Sequence, residues 1–301
     1  MQKILIIGAA ILDILVRPAD ASVFETGSHP AEDICMSLGG DALNEALVLS
    51  SLGKNVRLET VVGEDCAGRF IIEQCRERGI VIEQRQIRKI PTGINVVLVG
   101  KDGERSFLTN PNGTLRGLVP GDIRMPFDSE TDILCFASIF VFPQIKAEHL
   151  VQIFSQAKKQ GITVCADMTK RKCGETAQDM QEALSYVDYL FANEEEACLL
   201  TGETDMKKAA QMLLSCKTRH VIIKCGARGC FVSSEKESYM VPAEKGTVCI
   251  DTTGAGDSFT AGFLCALSEG KGLYECARFA NKCGAKAVGA LGGAAWASRP
   301  A

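Results

Sequence analysis

The sequence predicts an α/β fold: a doubly wound, mostly parallel sheet with helices on both faces, plus a small antiparallel β lid. Three observations carry this. Apolar runs of strand length alternate with helical patterns over most of the 301 residues. Glycines such as Gly53, Gly79 and Gly161 stop the helices, as expected of βαβ units. Two segments, about 14–37 and 82–109, break that rhythm with extended β-branched stretches and no helix between them.

Taken in order, Lys3–Gly8 reads as a buried first strand and Leu43–Leu52 as a helix ending at Gly53. Val56–Val62 is a strand, followed by a helix near Ala67–Arg78. Thr92–Val99 and Arg105–Thr109 flank the turn Gly100-Lys101-Asp102-Gly103, a hairpin signal. Alternation then resumes through strand Ile133–Phe136, helix Ala147–Gln160, strand Thr163–Ala166, helix Asp179–Ser185 and strand Tyr189–Ala192. A helix around Lys207–Ser215 precedes strand His220–Lys224 and the pair Cys230–Ser233 and Ser238–Val241. With no internal repeat and no linker, residues 1–301 read as one domain, and the odd segments as a lid projecting from it.

Composition excludes several classes. With 46% hydrophobic and 23% charged residues the chain can bury a substantial core. A net charge of -4 without a basic run argues against nucleic acid, whose binding rests on phosphate neutralisation. The apolar N-terminus is interrupted by Asp13 and closed by Arg17-Pro18, and no stretch is long enough to span a membrane. Fourteen cysteines without one Cys-x-x-Cys, many inside apolar runs, read as reduced, buried thiols in a cytoplasmic protein. The three histidines, His29, His149 and His220, have no ligand spacing.

The chemistry concentrates in Asp251-Thr252-Thr253-Gly254-Ala255-Gly256-Asp257-Ser258-Phe259, between a strand and an apolar helical run. Small residues permit a sharp turn and close approach of backbone to ligand, and the new helix offers unpaired N–H groups to an anion. Asp257 at that N-terminus could simply be a cap. Beside an anion cradle, a carboxylate is also what phosphoryl transfer to an alcohol needs as a proton acceptor.

This segment resembles the C-terminal signature of the ribokinase-like (PfkB) carbohydrate kinases. Gly39-Gly40-Asp41-Ala42-Leu43-Asn44-Glu45-Ala46 looks like that family's N-terminal Gly-Gly signature, and Asn193-Glu194-Glu195-Glu196 like its Asn-x-x-Glu. The resemblance runs from about Ile4 to Gly293. It implies ATP as phosphoryl donor, Asp257 as catalytic base and the amides of Gly254, Ala255 and Gly256 as anion hole. It implies Asn193 and Glu196 around Mg²⁺ and phosphates, largely through water, as Mg²⁺ prefers. Asp13, Gly39, Gly40, Asp41 and Asn44 fall on sugar-binding positions. Lys224, Gly226 and Gly229 resemble a nucleotide loop, and Asn281 part of the adenine wall. Asp251 and Thr253, with backbone near 290–292, match the monovalent-cation site of some members, which makes K⁺ a candidate cofactor. Neither a Walker P-loop nor the protein-kinase signatures occur.

For the substrate, ribose itself fits poorly: ribokinase has Lys where Asp41 stands, and no acidic residue near Ala137–Ile139 matches its sugar-binding glutamate. Asp167-Met168-Thr169-Lys170-Arg171 resembles the Asp-Pro-Asn-x-Arg stretch of other members, so Arg171 could meet phosphate or substrate, or sit in an exposed basic loop. Arg105 on the lid hairpin has the same two readings. The leading expectation is an ATP-dependent kinase acting on a primary hydroxyl of a hexose, ketose or sugar acid, working as a homodimer through its lid. A nucleoside kinase is the alternative, with Phe107, Phe140 and Phe142 as candidates to line a base pocket. A noncatalytic sugar- or nucleotide-binding regulator on the same fold is the reading from another class.

Overall fold

The computed structural model describes residues 2–101, 104–290 and 292–297. Its strands are β1 (Lys3–Ile7), β2 (Ile11–Arg17), β3 (Asp33–Gly39), β4 (Asn55–Glu59), β5 (Val62–Gly63), β6 (Ile87–Arg88) and β7 (Ile94–Val99). They continue with β8 (Arg105–Thr109), β9 (Thr131–Phe136), β10 (Thr163–Asp167), β11 (Tyr189–Asn193), β12 (His220–Lys224), β13 (Cys230–Ser234) and β14 (Ser238–Val241). The helices are α1 (Val23–Thr26), α2 (Asp41–Ser51), α3 (Cys66–Glu77), α4 (Ala147–Lys159) and α5 (Gln181–Leu184). The remaining four are α6 (Glu194–Thr201), α7 (Met206–Ser215), α8 (Ala255–Ser268) and α9 (Leu273–Val288).

The main sheet has eight strands in the order β14-β13-β12-β11-β10-β9-β1-β4. Neighbours from β12 through β4 run parallel, and β13 is antiparallel to both of its partners. Such strands are buried on both faces, and β1 shows why its run is continuously apolar. Leu5 and Ile7 join one core with α4, α6 and α7, whereas Ile4 and Ile6 join the opposite core with α2, α8 and α9. The chain leaves β1 on one side toward β4 and returns on the other at β9. A crevice therefore opens at the carboxyl ends of β1 and β9, where strand order reverses. Among the described residues, no helix is long and apolar enough to cross a membrane.

The lid is a separate sheet in the order β3-β2-β7-β8. Its outer pairs are antiparallel, as the alternating segments predict, and its central pair β2–β7 is parallel. It starts at Ile11 rather than 14, and residues 82–93 are not part of it: they form a short 3₁₀ turn and β6, which pairs with β5. The segment between β2 and β3 holds the one-turn α1, where no helix was expected. Asp102 and Gly103 of the hairpin turn lie outside the described residues.

The register separates the lid's two faces. Asp13 pairs with Ser37 and Asn95, and Asn95 with Thr109, so these polar groups share one face. Ile14, Val16, Ile34, Met36, Val96, Leu98 and Leu108 share the other.

Candidate active site

A cavity of roughly 690 Å³ opens at the carboxyl ends of the central strands, lined by Ser138, Asp167, Asn193 and Lys224 as they leave β9 to β12. The start of α8, including Ala255, Gly256 and Asp257, closes one side, and Asp41 at the start of α2 borders it.

Gly254 precedes α8 with φ 69°, and any side chain there would run into the carbonyl of Gly293. This residue turns the chain so that the first-turn amides of α8 face outward from the helix. The amides of Gly254, Gly256 and Asp257 have no partner among the described residues, whereas Ala255 N–H donates to the Thr252 carbonyl at 3.3 Å. Two of the three amides expected as an anion hole are thus unpaired, and Asp257 N–H joins them. The Lys224 ammonium adds positive charge here: a Cβ on Gly256 would lie 3.4 Å from its Nζ.

The Asp257 carboxylate accepts a hydrogen bond from Asn44 Nδ2 at 2.7 Å. Burial first, and the neighbouring negative charge of Asp41 second, push its carboxyl well above the carboxylate range; Asn44 and Lys224 oppose them. Asp41 contacts the Ser138 hydroxyl, and burial with the charge of Asp167 raises it to about 6. Under the lid, Asn95 Nδ2 donates to Asp13 Oδ1 at 3.2 Å and Thr109 Oγ1 to Asn95 Oδ1 at 2.7 Å. Burial raises the Asp13 carboxyl to about 6. Gly39 lies under Asp13, and a Cβ there would overlap the carboxylate; Gly40 turns the chain into α2.

Asn193 and Glu196 cap α6 for each other: Asn193 N–H donates to Glu196 Oε2 at 2.7 Å and Glu196 N–H to Asn193 Oδ1 at 2.8 Å. Both line the cavity, and burial raises Glu196 to about 7 despite the nearby Lys224. Gly226 and Gly229 also line it. Asn281 borders the cavity too, with its amide spent on the carbonyls of Val241 and Pro242, each at 3.1 Å.

Arg171, Arg105 and Asp251 each meet partners within the chain. Arg171 donates to the carbonyls of its own loop, Glu175 at 2.7 Å and Gly174 at 3.4 Å, and is not among the residues lining the cavity. Lys172 is the basic residue of that loop whose charge acts on Asp41. The Arg105 guanidinium is taken by Asp251, at 2.6 Å, and by the Thr253 hydroxyl. Asp251, the candidate K⁺ ligand, has both oxygens engaged by partners within the chain. One oxygen accepts from Arg105 and from Thr253 N–H at 2.8 Å, the other from Gly292 N–H at 2.9 Å. Burial alone would raise its carboxyl, yet these donors hold it below its ordinary value. Leu291 lies outside the described residues. Of the candidate aromatics, Phe140 and Phe142 are core residues, while Phe107 lies on the site side of the lid, exposed.

Sequence reasoning did not assign Asp167, Ser138 or Asn95. Asp167 holds Lys224 Nζ with both oxygens at 2.8 Å and accepts from Thr260 Oγ1 at 2.7 Å. Its place at the end of a strand was the available signal.

The sequence matches the pfkB family of carbohydrate kinases over residues 1–299. The chain belongs to this family. Its relatives include a ribokinase and a cytidine kinase. A ribokinase of Arabidopsis thaliana is 29% identical over 80% of the chain, which spans 64% of that relative's length. A cytidine kinase of Thermococcus kodakarensis is 27% identical, covering 92% of this chain and 93% of its own. The structure of Arabidopsis thaliana ribokinase complexed with ribose and ATP superposes with a TM-score of 0.83 at 25% identity, covering 98% and 96% of the two chains. The fold of this pfkB-family chain is thus the one in which that ribokinase holds sugar and nucleotide.

Proposed function

We propose that the protein transfers the γ-phosphoryl group of ATP to a primary hydroxyl of a hexose, ketose or sugar acid. The observation carrying this is Asp257, hydrogen-bonded by Asn44, at the head of a helix whose unpaired amides and adjacent Lys224 form an anion cradle. Asp257 takes the hydroxyl proton as the oxygen attacks, while Gly254, Gly256 and Lys224 stabilise charge on the transferring group. Asp13, Asn95, Asp41 and Asn44 offer the acceptors and amides that suit a polyol.

Nucleotide phosphates run past Lys224, with the base toward Gly226, Gly229 and Asn281. Among the described residues no cluster of three or more His, Cys, Asp or Glu could hold a metal alone. Glu196, whose Oε1 has no hydrogen-bond partner among the described residues, fits Mg²⁺ held through water and phosphate oxygens. Bound there, Mg²⁺ would neutralise charge on the phosphates. Fourteen cysteines without one Cys-x-x-Cys support a reducing, cytoplasmic setting.

The test is ADP release with MgATP across sugars, sugar acids and nucleosides, beside Asp257→Asn. A sugar-dependent rate falling about 10²- to 10⁴-fold in the variant is expected. Equal, negligible turnover in both, with sugar still bound, would instead make this a binding protein, and a nucleoside-only rate would make it a nucleoside kinase.

A further inference from the structure

Asp251 is a junction between three parts of the molecule. Its side chain is 1% exposed, and it holds Thr253 N–H, Gly292 N–H and the guanidinium of Arg105. Thr253 leads into the anion cradle. Gly292 precedes Gly293, whose carbonyl packs against Gly254. Arg105 opens β8 and lies on the same lid face as Thr109, Asn95 and Asp13. A planar guanidinium suits this place because it reaches two acceptors at once, Asp251 and the Thr253 hydroxyl.

A carboxylate so buried needs a counter-charge, because leaving it uncompensated is strongly destabilising. The counter-charge here comes from the lid, the element that also carries Asp13 and Asn95 over the acceptor position. The cradle's entry segment is therefore balanced only while the lid lies against the body.

We propose that Arg105 is a positioning residue: it couples lid closure to the shape of the anion cradle through Asp251 and Thr253, and replaces a monovalent cation at that carboxylate. With the lid away, Asp251 loses its partner and the segment from Asp251 to Asp257 relaxes. ATP alone then meets an incomplete cradle, which limits wasteful hydrolysis until an acceptor brings the lid down.

This inference rests on the kinase reading, so its test begins with a measurement needing no catalysis. Hydrogen exchange of the unliganded protein is compared for wild type, Arg105→Ala and Arg105→Lys. Faster exchange in peptides covering 251–258 and 292–297 of Arg105→Ala, with α4 unchanged, is expected. Unchanged exchange in both peptides would overturn the coupling. Steady-state rates follow in NaCl and in KCl. Wild type should respond alike to both salts, and Arg105→Ala should lose about 10- to 100-fold in kcat with little change in acceptor KM. Added guanidinium should restore part of that rate, and Asp251→Asn combined with Arg105→Ala should be no worse than either alone. A raised acceptor KM with kcat intact would make Arg105 a substrate contact, and K⁺ activation of wild type would overturn the cation replacement. If wild type phosphorylates no acceptor, the kinase reading fails while hydrogen exchange still decides the latch.

Discussion

Glu45 is fully buried on α2, next to the Asn44 that donates to Asp257, and among the described residues its carboxyl oxygens have no hydrogen-bond partner beyond the neighbouring Cys135 thiol. Burial, reinforced by the negative charges of Asp167 and Asp257, pushes its carboxyl well above its usual 4.5. The folded protein then keeps a proton that the unfolded chain releases near that pH. More protons are bound folded than unfolded, so this stabilisation is complete below about pH 4.5 and is lost as pH rises through the folded-state value. Asp41, raised to about 6, and Glu196, raised to about 7, act in the same direction. Glu45→Gln removes one of these titrations while keeping shape. Thermal unfolding from pH 4.5 to 8 should show a smaller loss of Tm in the variant than in wild type. Parallel curves would mean that Glu45 does not change protonation in this window.

Elements matter through where they end. β10 ends at Asp167, β12 at Lys224, and Thr260 sits one turn into α8; the three meet through hydrogen bonds of 2.7 to 2.8 Å. The Asp167 carboxylate thus fixes Lys224 beside the cradle, and with Glu196 it holds the ammonium protonated despite burial. Asp167→Asn should lower kcat by about 10²-fold through a misplaced ammonium. Combined with Lys224→Met it should cost no more than Lys224→Met alone, since the acid acts through the lysine. Additive losses in the double variant would give Asp167 a separate role. This triad also shows what a sequence withholds. β1 and α8 were legible from an unbroken apolar run and from a small-residue turn before an apolar helix, because those signals are local. The parallel sheet covered on both faces followed from the alternation of strands and helices, whereas the strand order came only with the structure. The partners of Asp167 lie 57 and 93 positions away, and nothing local marks such pairs. Arg171 and Arg105 kept two readings for the same reason: charge alone does not separate a ligand contact from a partner within the chain, and the fold supplies backbone carbonyls to one and a buried carboxylate to the other.

At the scale of the whole molecule, the outer face of the lid remains to be accounted for. Ile14, Val16, Val96 and Leu98 lie on that face with Ile34, Met36 and Leu108, and the last three are 66%, 60% and 59% exposed. One apolar face on a four-stranded sheet is more than scattered surface hydrophobes, and such a patch calls for cover. A second copy of the chain would supply it with a matching face under two-fold symmetry. We propose a homodimer in which the two lids pack together, burying about 800 Å² on each side if the interface has standard size. Each lid would then rest on its neighbour while Arg105 ties it to its own body, so association and closure act on the same sheet. Sedimentation at micromolar concentration should show a dimer for wild type and a monomer for Met36→Lys combined with Leu108→Lys, because a charge at the centre of such an interface must be desolvated without a partner. Wild type sedimenting as a monomer, or a double variant still dimeric, would place the interface elsewhere and leave the apolar face to a different occupant.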